Sequence, residues 1–252
     1  MKIIAICNQK GGVGKTTSAI NLAASLAYLK KKVLLIDTDP QANGTSGIGI
    51  DKNDVENSVY NILVDEMDIN NVIKKTPYEN LDIVPSSIEL AGAEVELVSA
   101  ISREQRMKKA ISDIKESYDY VIIDCPPSLG LITLNSLTAA DGVIIPVQTE
   151  YYALEGLSQL MNTFNIVRKH LNANLDIFGV LLTMTDSRTN ISSQVAKEVR
   201  EHFMDKVFTT AISRTVRLSE APSFGEPILE YAKNSNGAKQ YLALAREVIE
   251  RG

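Results

Sequence analysis

Apolar residues in this chain fall into short continuous runs separated by longer stretches with helical spacing. The runs Ile3–Cys7, Val33–Ile36, Leu81–Val84, Tyr120–Ile123, Gly142–Val147 and Phe178–Leu182 are rich in Val and Ile and do not alternate with polar residues. That is the pattern of strands buried on both faces of a parallel sheet. Between and after them lie helical periodicities at Ala19–Leu29, Met107–Ile114, Leu131–Ala139, Leu154–His170, Gln194–Phe203 and Ala238–Arg251. Strands alternating with helices predict an α/β fold, a doubly wound and mostly parallel sheet with helices on both faces. No Pro/Ser-rich linker, internal repeat or low-complexity tract interrupts the pattern, so residues 1–252 are expected to form a single domain. In such a sheet ligands bind beyond the carboxyl ends of the strands, which directs attention to the residues following each run.

Composition narrows the class. With 44% hydrophobic and 23% charged residues, the chain is neither collagen-like nor mucin-like nor disordered. None of its apolar runs approaches a membrane-spanning length, and Met1–Cys7 is too short and too weakly basic for a secretory signal, so a cytoplasmic protein is expected. Cys7 and Cys125 form no C-x-x-C and are expected as buried, reduced thiols. The net charge of −5 gives no global attraction to polyanions. Residues 186–252, however, carry 10 Lys+Arg against 9 Asp+Glu and hold six of the nine arginines, so a polyanion surface would be local to that stretch.

The sharpest chemical signal is Gln9-Lys10-Gly11-Gly12-Val13-Gly14-Lys15-Thr16-Thr17, placed directly after the first strand and opening the first helix. Small residues let successive backbone N–H groups converge on phosphate oxygens, and the helix N-terminus adds a positive dipole end. Lys15 is positioned to reach β/γ-phosphates and Thr16 to ligate Mg²⁺. The loop departs from the standard pattern because its opening Gly is replaced by Gln9 and a second lysine, Lys10, follows.

Two further segments supply carboxylates. Asp37-Thr38-Asp39-Pro40-Gln41 ends the second strand, and residues i and i+2 of an extended segment point the same way. One of the two carboxylates can hold a magnesium-bound water while the other orients an attacking water. Asp124, at the end of Tyr120–Ile123 and before Cys125-Pro126-Pro127, is placed to orient Mg²⁺ or its waters. No serine has a partnered His at a recognisable spacing. His170 and His202 lie late in helical patterns and are expected as caps or solvated residues. Tyr151 and Tyr152 are expected to pack in the core or cap a helix.

With these residues in view, the chain resembles the ParA/Soj family of deviant-loop partitioning ATPases over nearly its whole length. The resemblance rests on the loop from Lys10 to Thr17, Asp37-Thr-Asp39-Pro-Gln41, Asp124-Cys-Pro-Pro-Ser128, Glu150-Tyr-Tyr-Ala-Leu-Glu-Gly156 and Val216-Arg-Leu-Ser-Glu-Ala-Pro-Ser-Phe-Gly225. It implies a sandwich homodimer around two ATP molecules, with Lys10 reaching across to the partner's phosphates and Gly11 at the crowded interface. It also implies that Asp39 orients the attacking water, Asp37 supports it and, with Thr16 and Asp124, lies on the magnesium side.

The same resemblance implies non-specific binding of double-stranded DNA by the ATP dimer, association with the nucleoid, and stimulation by a ParB-type partner. Family arginines fall on Arg188 and Arg217, each of which also suits a surface ion pair. Two positions depart from the family. Ser213 replaces a common Pro near the adenine, leaving backbone contacts in place of side-chain ones, and Tyr231-Ala-Lys233 has fewer charges, weakening Lys233 as a DNA contact. The first strand begins too near the N-terminus for a preceding helix-turn-helix. Ala238–Arg251 reads as docked on the core and not as a membrane anchor, so no membrane partner is expected. A MinD-like membrane adaptor and a regulator of replication initiation are the alternative functions.

Overall fold

The computed structural model describes residues 1–150 and 155–252. Tyr151, Tyr152 and the expected helix start at Leu154 lie outside the described residues. Seven strands, β1 (Lys2–Ile6), β2 (Val33–Asp37), β3 (Lys74–Lys75), β4 (Leu81–Val84), β5 (Tyr120–Asp124), β6 (Gly142–Gln148) and β7 (Asp176–Thr183), form one sheet in the order β3-β4-β2-β5-β1-β6-β7. All neighbours are parallel except the edge pair β3 and β4. The expected strands are therefore present to within one or two residues, and β3, only two residues long, had no pattern from which to be read.

Alternation within these strands divides the core in two. On β5, Val121 and Ile123 join the cluster on one face while Tyr120 and Ile122 join the other; on β2, Leu34 and Ile36 oppose Val33 and Leu35. One face is covered by α1 (Lys15–Tyr28) and α11 (Asn236–Arg251), through Leu22, Leu26, Tyr241, Leu244 and Val248. The other is covered by α3 (Val59–Leu63), α4 (Leu90–Glu96), α5 (Arg106–Ser112), α6 (Leu131–Ala139), α7 (Glu155–His170) and α8 (Asn190–Phe203). The short helices α2 (Asn43–Ser46), α9 (Val216–Glu220) and α10 (Ile228–Tyr231) complete the order.

The docked C-terminal helix is as expected. Its apolar face is spent on α1, the Tyr241 hydroxyl lies 3.2 Å from Ser18 Oγ, and the Arg251 guanidinium sits 4.2 Å from the centroid of Phe208. Cys7 and Cys125 are free thiols buried in the same cluster. No helix among the described residues is long and apolar enough to cross a membrane.

Candidate functional site

The register of the sheet brings the chemistry together. β1 and β2 both pair with β5, so the loop after Ile6, the segment after Asp37 and the end of β5 at Asp124 emerge side by side, with Asp37 directly opposite Asp124.

The loop is shaped from within. Asn8 is buried, donating from Nδ2 to Pro146 O at 2.7 Å and accepting from Lys10 N at 3.0 Å. Thr183, the last residue of β7, donates its hydroxyl to Val13 O at 2.8 Å. Gly12 and Gly14 have φ of +74° and +87°, while a Cβ at either would meet nothing closer than 3.9 Å. Glycine is needed there for conformation and not for room. Nothing among the described residues crowds Gly11 either.

Gly14 is the N-cap of α1 and offers no side-chain cap, so the amides of the first turn are left for another acceptor. Helix α1 begins at Lys15, four residues before the apolar pattern, because its first turn is polar and faces this loop. The Lys15 side chain is buried, and its ammonium donates to Lys10 O at 3.0 Å. Desolvation pulls its pKa down, and the nearby Asp124 charge only partly restores it. The Lys10 ammonium makes no ion pair among the described residues.

The two carboxylates of the Asp37-Thr38-Asp39 segment are not equivalent. β2 ends at Asp37, so Asp39 lies on the following turn and not on extended strand. Asp37 is fully buried and accepts from Asp39 N at 3.1 Å, Thr45 N at 2.7 Å and Thr45 Oγ1 at 2.8 Å. A Cβ on Gly44 would fall 2.9 Å from this carboxylate, so only glycine fits beside it. Asp39 is half-buried and accepts from Gln41 N at 2.9 Å. Burial pushes the Asp37 carboxyl up to about 6 despite these hydrogen bonds.

Asp124 is the anomaly. It is fully buried, and neither carboxylate oxygen has a hydrogen-bond partner of standard geometry. Desolvation first, and then the Asp37 charge, hold its pKa well above the ordinary carboxylate range, with the neighbouring Thr16 hydroxyl opposing the rise. A buried carboxylate left unpaired is costly unless a cation completes it. Asp124 beside Thr16 presents hard oxygen donors suited to Mg²⁺. No cluster of three or more His, Cys, Asp or Glu stands among the described residues, so water and phosphate would complete that ion's shell.

This predicts a trade between stability and function. The unfolded chain loses these two protons near pH 4 whereas the native chain keeps them to higher pH, so the contribution of Asp37 and Asp124 to stability falls as pH rises above about 4. Asp124→Asn should stabilise the nucleotide-free protein by ~1–3 kcal/mol at pH 8 and by far less near pH 4. Thermal melts at the two pH values check this; equal melting temperatures for variant and wild type at pH 8 would contradict it.

Beside the loop opens a cavity of about 490 Å³, lined by Gly14 and Thr17 on one side and by Ile212, Ser213, Leu218, Pro222 and Tyr241 on the other. Its size and largely apolar wall suit a planar base. At its rim Met184 is held at φ +51°, a rare conformation for such a side chain. Ser213 commits both N–H and hydroxyl to Gln240 Oε1, at 3.1 and 3.0 Å, which leaves its carbonyl as the group free to read a base.

The cationic residues are arranged unequally. Arg188 is highly exposed and makes a bidentate pair with Asp186, at 2.9 and 2.7 Å, which pulls the Asp186 carboxyl down to about 2. Arg217 makes a longer contact of 3.5 Å to Glu220 and lies 6.0 Å from the centroid of Tyr231. Lys233 lies 5.2 Å from the centroid of Tyr28. The loop of Arg188 is joined to the segment leading to Arg217 by Thr185 N to Ile212 O at 3.0 Å and Arg214 N to Thr185 O at 3.1 Å. His170 and His202 end α7 and α8, outside the site.

Sequence reasoning missed Thr45, Thr183 and Gln240. Thr183 could have been found, since it follows an apolar run at the carboxyl edge; the other two act through contacts distant in sequence.

A family model described as an AAA domain matches residues 1–177. The sporulation initiation inhibitor protein Soj of Bacillus subtilis is 63% identical over 251 residues, covering 100% of this chain and 99% of that protein. The chromosome partitioning protein ParA of Myxococcus xanthus is 53% identical over 250 residues, covering 99% and 88%. Among solved structures, cobyrinic acid a,c-diamide synthase from Mycobacterium smegmatis with bound ADP and magnesium superposes with a TM-score of 0.88 at 35% identity, covering 99% of this chain and 94% of that one.

Proposed function

Since the chain belongs to the ParA/Soj family of chromosome-partitioning ATPases, we propose that it is an ATP-gated dimer that holds nucleoid DNA and releases it when a ParB-type partner stimulates hydrolysis. The observation that carries the reading is Asp124, with two unpaired buried oxygens beside Thr16 at the uncapped start of α1. Such a centre is poor for stability and apt for a magnesium-bound polyphosphate.

The residues divide the work. Backbone N–H groups from Gly11 to Thr17 and the α1 dipole receive the phosphates, and Lys15 exchanges its bond to Lys10 O for phosphate oxygens. The ATP base occupies the cavity against Ser213 O. Thr16 and Asp124, with Asp37 behind them, hold Mg²⁺, which when bound neutralises charge on the phosphate oxygens. Asp39, half-exposed at the mouth, orients the attacking water while Asp37 fixes its turn through the Asp39 N–H. Lys10, with no ion pair among the described residues, reaches the phosphates of the second subunit, and the open space over Gly11 admits that subunit's loop. The apolar face of α11 is already buried against the core and so is not offered to a lipid surface.

DNA binding follows from doubling one cationic face. Arg217, Arg188 and secondarily Lys233 contact backbone phosphates, with the highly exposed Arg188 exchanging its partly buried Asp186 partner for phosphate because ion pairs at the surface are weak. In the Arg188→Glu/Arg217→Glu variant, affinity for two unrelated duplexes should fall together, and the salt slope should drop by about one per lost phosphate contact. ATP-driven dimerisation should be unaffected. Mobility shifts at several salt concentrations test this; retained binding, or a preference of orders of magnitude for one duplex, would contradict it.

A further inference from the structure

Four large apolar side chains stand in solvent on one short stretch: Ile88, Val95, Val98 and Ile101 are 70%, 76%, 59% and 88% exposed. They belong to α4 and the turns flanking it, whose inner residues Leu90, Ala93 and Leu97 are fully buried. The turn entering α4 is already helical, with Glu89 at φ −60° and ψ −28°. Ile88, the exposed Ala91, Val95 and Val98 are therefore spaced by three, four and three residues along one outer face, the spacing of a two-helix seam. Glu89, Glu94 and Glu96 border it, and residues 86–102 contain no Lys or Arg.

This stretch is tied at both ends to the chemistry. At its start, Ser86 N donates to Thr45 Oγ1 at 2.9 Å, and the same hydroxyl donates to Asp37 at 2.8 Å. Near its end, the Glu94 carboxylate accepts from Leu131 N at 2.9 Å and Ile132 N at 3.3 Å, capping the helix that follows the Asp124 loop. A body seated on the stripe would thus press on both carboxylate strands.

Charge selects the occupant. A second copy of the stripe is disfavoured, because two-fold pairing would set Glu89 and Glu96 against like charges, while Arg103, just beyond the stripe, is engaged by Val98 O and Glu104. We propose that the outer face of α4 is the docking surface for an amphipathic helix of the hydrolysis-stimulating partner, one with an apolar seam flanked by Lys or Arg. The inference rests on the partner-stimulated cycle proposed above and locates where that stimulation enters.

The test is steady-state ATP hydrolysis, in the presence of DNA, over a titration with the ParB-type protein of the same organism. Wild type is compared with Val95→Glu/Val98→Glu and with Glu89→Lys/Glu96→Lys, all four positions being exposed. Both variants should need about tenfold more partner, or beyond, for half-maximal stimulation, with the unstimulated rate and the mass of the ATP-bound dimer unchanged. Stimulation curves that coincide with wild type would overturn the docking surface alone. Loss of ATP-driven dimerisation in Val95→Glu/Val98→Glu would give the stripe to a second copy and also overturn it. A wild type that the partner does not stimulate would overturn the partition cycle and this inference together.

Discussion

Replacing Lys15 with alanine should cost the protein about a hundredfold or more in affinity for Mg-ATP. Lys15 is 7% exposed and its ammonium is already desolvated inside the loop, so it loses little further hydration when phosphate oxygens replace the Lys10 carbonyl. Each charge-assisted hydrogen bond to phosphate is worth roughly 1.5–3 kcal/mol, and two of them amount to about a hundredfold or more. No other cation substitutes, because Lys10, the other lysine of the loop, is assigned to the second subunit. Equilibrium binding of a fluorescent ATP analogue measures the effect. Affinity within a few-fold of wild type would remove Lys15 from the phosphate site.

Much of this site was legible before any coordinates, and the reason is local. Apolar runs that end in Asp37 and Asp124 are strands, and a parallel sheet places its strand ends together; this brought both carboxylates to the glycine-rich loop without knowledge of a single contact. Lys15 and Thr16 followed from loop spacing. The loop reads as opening α1, and α1 does begin inside it at Lys15; its apolar pattern starts only at Ala19 because the first turn is polar. Thr45 could not be read, since its hydrogen bonds to Asp37 and Ser86 span eight and 41 residues. Spacing alone did not say which of Asp37 and Asp39 takes which role; β2 ends at Asp37, which buries one carboxylate and leaves the other half-buried on the turn. The roles of Lys10, Arg188 and Arg217 came through family resemblance alone, because a single chain offers no second subunit and no duplex to contact.

The second large effect separates two residues of one site. Asp39→Ala should lower the hydrolysis rate about a hundredfold or more, the usual worth of a group that orients or deprotonates an attacking water. It should leave ATP bound, since the Asp39 carboxylate accepts from Gln41 N in its own turn and is the weakest of the charges acting on Lys15. Lys10→Ala should do the reverse: it keeps the in-chain phosphate contacts and binds ATP, yet loses the contact across the dimer and stays monomeric. Phosphate release and nucleotide retention measured side by side distinguish the two variants. Equal behaviour of both would mean that Lys10 and Asp39 serve the same subunit and the same step.

The central claim is that ATP closes a two-subunit sandwich, and light scattering on the Asp39→Ala protein at saturating nucleotide tests it most directly. With Mg-ATP the molar mass should be that of two chains, with Mg-ADP that of one, and with Mg-ATP in the Lys10→Ala/Asp39→Ala double variant that of one again. A mass of one chain for Asp39→Ala under proven ATP saturation would contradict the account.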